Sequence, residues 1–138
     1  MPKYIVDCVY QIQLFFDGDI YLIVDDIESE YIKEIEKYNI AVISYELVRS
    51  REFMMCISNN TQKFTSLAGL KDRSLLFVRC FERFFLLYNL MNYINREDAF
   101  FMEIDNLIYD DPKKWLKEFQ KWQLCYMFDN YNRGSSGV

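Results

Sequence analysis

The sequence predicts an α/β layered fold with mainly parallel strands and flanking helices. Three observations carry that expectation. Helical and strand-like periodicities alternate along the first 44 residues. Half of the 138 residues are hydrophobic, which suffices for a sizeable core at the usual size of one domain. An apolar run from Phe100 to Ile104 closes on two carboxylates, Glu103 and Asp105, as a buried strand does when it reaches a sheet edge.

Pro2 followed by residues 4–16 sets Ile5, Cys8, Val9, Ile12, Phe15 and Phe16 at helical spacing, with the proline suited to a helix start. Asp17-Gly18-Asp19 ends that helix. Residues 20–24 are a short β-rich run closing on Asp25-Asp26. Helical spacing returns over 29–38 through Ile32 and Ile35, and Asn39 turns the chain into a second strand over 41–44. Residues 49–69 show little regular period and carry Asn, Ser, Thr and Gly, which predicts a long connection with one helical turn; such connections are often functional. Residues 73–95 predict the longest helix, buried against the sheet, with Arg79, Glu82, Arg83 and Asn89 in one narrow polar stripe. Residues 99–104 predict the central strand, 112–122 a helix with Asp111 as N-cap and Pro112 at its first position, and 124–128 a last strand. The closing Arg133-Gly134-Ser135-Ser136-Gly137-Val138 has the composition of a flexible linker, and equally of a loop cut short by the chain end.

Composition excludes several functions. A net charge of −5 and a pI near 4.8 argue against nucleic-acid binding, which needs clustered Lys and Arg. No histidine occurs, which removes the commonest zinc ligand and the Ser/His/Asp and Cys/His nucleophile systems. The four cysteines, Cys8, Cys56, Cys80 and Cys125, have no CxxC spacing and read as buried free thiols of a reducing, cytoplasmic compartment. No stretch is long and uncharged enough to span a bilayer, so the chain reads as soluble. None of the four glycines builds a phosphate-binding loop.

Chemistry must then rest on carboxylates, a metal or a cofactor. Glu103 and Asp105 are two residues apart, so a pleated strand sends both to one face, where a hard cation such as magnesium or manganese takes oxygen ligands and is completed by substrate phosphates. The competing reading is a solvated turn. Asp25-Asp26 is likewise either an ordinary turn between strand and helix or a nucleotide contact, and Arg83 either pairs with a nearby acid such as Glu82 or neutralises ligand charge.

With its helix leading into an acid-ended strand, the segment ERFFLLYNLMNYINREDAFFMEID resembles the nucleotide-sugar-binding half of a GT-A-type glycosyltransferase, with Glu103-Ile104-Asp105 in the place of the DxD motif and Arg83 on the preceding helix. The resemblance covers about residues 2–128. It implies a Rossmann-like sheet, a nucleotide-sugar donor with an acceptor, and a divalent cation, Mn or Mg. Asp105 would be the direct cation ligand. Glu103, with its longer arm than the commoner Asp, would stand nearer the ribose or the cation's water shell, Asp25 and Asp26 near the base or ribose, and Arg83 beside acid or diphosphate charge. The first strand of such folds, their acceptor half and a late metal ligand have no counterpart here, so one domain over 1–138, incomplete relative to the family, is the expectation.

Two other readings stand beside it. An open sheet edge and an aromatic-rich surface of eleven Tyr, twelve Phe and two Trp would suit a non-catalytic α/β interaction module that self-associates as a homodimer. A metal-dependent hydrolase using Asp25, Asp26, Glu103 and Asp105 fits the strand-end acids, but the chain lacks a DxDx[TV] nucleophile loop.

Overall fold

The first strand pair forms as the alternation predicts. In the computed structural model, which describes residues 2–67, 74–123, 127–130 and 133–135, helix α1 (Ile5–Gln13) precedes strand β1 (Ile20–Val24), helix α2 (Glu30–Ile35) and strand β2 (Ile40–Ser44). β1 and β2 pair in parallel, with Ile20 opposite Ile40 and Val24 opposite Ser44. Parallel neighbours need a crossover, and α2 supplies it. The fold is α/β with a two-stranded parallel sheet and several helices.

The chain divides into two units, one of Met1–Ser44 with Phe100–Val138 and the other of Tyr45–Ala99. In the first, α1 turns Ile5 and Val9 inward at helical spacing, and α2 adds Ile35, which is fully buried. Leu22, Ile40 and Val42 meet this cluster from one face of the sheet, together with Val6, Tyr31, Tyr38 and Ile104. Each fully buried aliphatic side chain contributes about 1.5–3 kcal/mol, so these few positions dominate the unit's stability. The turn after α1 closes because Gly18 leaves room for a ring: a Cβ there would lie 2.9 and 3.0 Å from Cε1 and Cε2 of Phe16.

The central strand expected over 99–104 does not form. The segment is irregular and turns at Ile104-Asp105, with Asn106 N–H donating to the Glu103 carbonyl at 3.1 Å. A strand needs a ladder partner as well as an apolar sequence. Here only Ile104 is drawn into the core, while Phe100 and Phe101 stand exposed. Helix α6 (Lys113–Phe119) is shorter than the expected 112–122; Pro112 takes the cap position, and the Asp111 carboxylate accepts from Lys113 N–H at 2.9 Å. Strand β3 (Met127–Asn130) pairs antiparallel with β4 (Arg133–Ser135), so the first three residues of the expected linker are a strand. Residues 124–126 of the expected last strand, with Cys125, and 136–138 lie outside the described residues.

In the second unit, α3 (Tyr45–Val48) leads into α4 (Arg51–Leu67), a helix where a long connection was expected. Its start was written locally: Ser50 Oγ accepts from Phe53 N–H at 3.1 Å, satisfying a first-turn donor. The Asn-rich middle hid the helix, and it bends the helix too. Asn60 has φ −124° and ψ 17°, and its Nδ2 donates to the Cys56 carbonyl at 2.8 Å. Helix α5 (Ser74–Tyr93) ends in a Schellman motif, with Asn95 at φ 53°, Arg96 N–H donating to the Met91 carbonyl at 2.9 Å and Asn95 N–H to that of Asn92 at 3.3 Å. Among the described residues, no helix is long and apolar enough to cross a membrane.

Candidate functional site

The acid pair sits on a turn anchored by the residue between its members. Ile104 packs against Ile5, Val9 and Ile35, which leaves Glu103 half-buried and Asp105 exposed on either side of it. Farther along, Ile108 N–H donates to Gln11 Oε1 at 2.8 Å, and Lys113 forms an ion pair with Asp17. The chain from 104 to 113 therefore runs alongside α1 in the same direction, with the acids beside the first turns of the helix.

Electrostatics agrees with that placement. Burial pushes the Cys8 thiol up from its ordinary value, and the charges of Asp7 and Asp105 push it further. Beside this turn, the amide nitrogens of Gln11 and Asn106 are buried without a hydrogen-bond partner.

Asp25 and Asp26 follow the C-terminal residue of β1 and are exposed. Asp26 Oδ1 accepts from Glu28 N–H at 2.9 Å, the local bond of an Asx turn. Arg83 belongs to the other unit, where its Nη2 donates to Cys80 Sγ at 2.8 Å. Glu82, the acid expected beside it, is engaged by others: it is 3% exposed, accepts from Arg79 Nη1 at 2.6 Å and takes a hydrogen bond from the Tyr45 hydroxyl. The Arg79 guanidinium also lies 5.5 Å from the centroid of the Tyr45 ring. Desolvation, followed by the hydrogen bond to Glu82 and then the charge of that carboxylate, pushes the Tyr45 hydroxyl up.

Sequence reading missed this network. The spacing of Arg79 and Glu82 on an apolar helix was a usable signal, whereas nothing local pointed to Tyr45, 37 positions away. It also misjudged the thiols. Cys8 is buried, but Cys56 is exposed and Cys80 half-buried.

Two surface depressions are lined by residues other than the acid pair. One is lined by Glu46, Arg49, Arg51, Met54 and Met55, another by Gln13, Phe16, Asp17, Gly18 and Asn39. Among the described residues, no group of three or more His, Cys, Asp or Glu side chains is arranged to hold a metal ion. Two carboxylates on one turn are a partial ligand set of the kind that a phosphate-bearing substrate completes. No family model, curated protein or solved structure matches this chain.

Proposed function

We propose that the chain carries the nucleotide-sugar-binding part of a GT-A-type glycosyltransferase, with a Rossmann-like arrangement begun by β1, α2 and β2 and a divalent cation held by Asp105. The observation that carries this reading is the acid turn, two carboxylates set on either side of a core-packed isoleucine in the same unit as the parallel strand pair. Chain direction supports it. The polypeptide leaves α1 through the short connection over 14–19 and packs Leu22 back against the cluster of Ile5 and Val9, so it has reversed direction. On this reading the end of β1 that carries Asp25 and Asp26 faces the same side as the acids, where open α/β sheets bind their ligands.

The donor set fits a hard cation. Carboxylate oxygens suit manganese or magnesium. When bound, the cation supplies Lewis-acid stabilisation of the charge on a leaving diphosphate. Asp105, exposed and short-armed, is the direct ligand. Glu103 acts through the cation's water or the ribose, and Asp25 and Asp26 face the base or ribose. No part is assigned to Arg83.

Titration with manganese and uridine or guanosine diphosphate tests the proposal. Metal and nucleotide together are expected to raise Tm more than either alone, because each completes the other's coordination and binding favours the folded state. Asp105→Asn is expected to remove most of that metal-dependent increment and Glu103→Gln less, with the ligand-free Tm nearly unchanged. Metal-independent binding, or an increment untouched by Asp105→Asn, moves the site elsewhere.

A second reading, a non-catalytic module that self-associates, is favoured by one feature. β1 and β2 each pair only with the other among the described residues, so each has an edge without a ladder partner. A concentration-dependent sedimentation coefficient, with no metal-dependent nucleotide binding, selects it.

A further inference from the structure

We draw no further inference here: the strongest candidate, the cluster of the Gln11 and Asn106 carboxamides whose nitrogens are buried without a hydrogen-bond partner beside the acid turn, belongs to the site already described, and nothing in the structure shows what would reach those nitrogens.

Discussion

Both units bury apolar side chains, Ile5, Val9 and Ile35 in the first and Val48, Phe53 and Leu90 in the second, but among the described residues only the second also buries a charged one. In the first, apolar side chains at regular spacing meet in one cluster, and the charged residues sit at turns and on outer faces. In the second, the longest helix does the reverse: Glu82, at 3%, is its least exposed described residue, while Phe81, Phe84 and Tyr88 stand 53%, 42% and 67% exposed. Apolar burial is non-directional and needs only the right face. A buried carboxylate needs its partners in place, and Arg79 and Tyr45 supply them. The first unit is thus held by pattern and the second partly by specific pairing, which leaves aromatic area on α5 uncovered.

The largest expected effect breaks the first unit. Ile35→Ala removes a side chain with no exposed surface from the centre of its cluster and is expected to cost about 2–5 kcal/mol, transfer and cavity together. Hydrogen exchange read across α1 and α2 is expected to lose protection while α3 to α5 keep theirs. Equal loss in both would show that the difference between the units has no energetic counterpart.

A smaller effect sharpens the second. Glu82→Gln keeps the shape of the side chain but takes away the charge that Arg79 and Tyr45 address, at a cost of about 1–3 kcal/mol. Tyr45→Phe, which deletes one hydrogen bond, is expected to cost about 1 kcal/mol. It carries a pH signature as well. The Tyr45 pKa is raised on folding by desolvation and by Glu82, so the folded state holds this proton longer. That stability is fully present below the ordinary tyrosine value of about 10 and is lost as pH rises above it. Tyr45→Phe should flatten this alkaline decline in a denaturation series; a slope identical to that of the parent chain would remove the network from the account.

The same contrast explains what was legible beforehand. Ile5, Cys8, Val9, Ile32 and Ile35 announced their helices and buried faces, because in the first unit burial follows period. α4 was missed because its Asn and Thr residues are weak helix formers and its evidence was a single cap, Ser50. The strand expected over 99–104 failed for a non-local reason, since no partner strand lies alongside, and an apolar run does not state its neighbours. For the site, that Glu103 and Asp105 flank a single residue could be read from the sequence, but the strand face expected to hold both is a turn, with Glu103 half-buried and Asp105 exposed. Their position along α1 could not, because it depends on Ile104, Gln11 and Asp17, contacts about 100 residues apart.

The smallest effect tests whether exposure alone decides the worth of a charge pair. Asp17 and Lys113 join distant parts of the first unit as Glu82 and Arg79 join adjacent turns of α5, but their side chains are 88% and 45% exposed. Lys113 lowers the Asp17 pKa and Asp17 raises that of Lys113. The Asp17 contribution is therefore present above the ordinary aspartate value of about 3.9 and is lost as pH falls below it. The Lys113 contribution is present below the ordinary lysine value of about 10.4 and is lost as pH rises past it. Across the window between, water and salt screen both partners, and exposed pairs of this kind often contribute nothing measurable. Asp17→Asn is accordingly expected to leave Tm unchanged at pH 7 and physiological salt, with a small decrease emerging only at low ionic strength. Lys113→Ala should do slightly more, because its ammonium also lies 5.4 Å from the centroid of the Phe16 ring, the ring that closes over Gly18. A clear drop for Asp17→Asn at physiological salt would mean that the 104–113 segment is held to α1 by this pair rather than by Ile104 and the Gln11 bond, and the first unit would then depend on pairing as the second does.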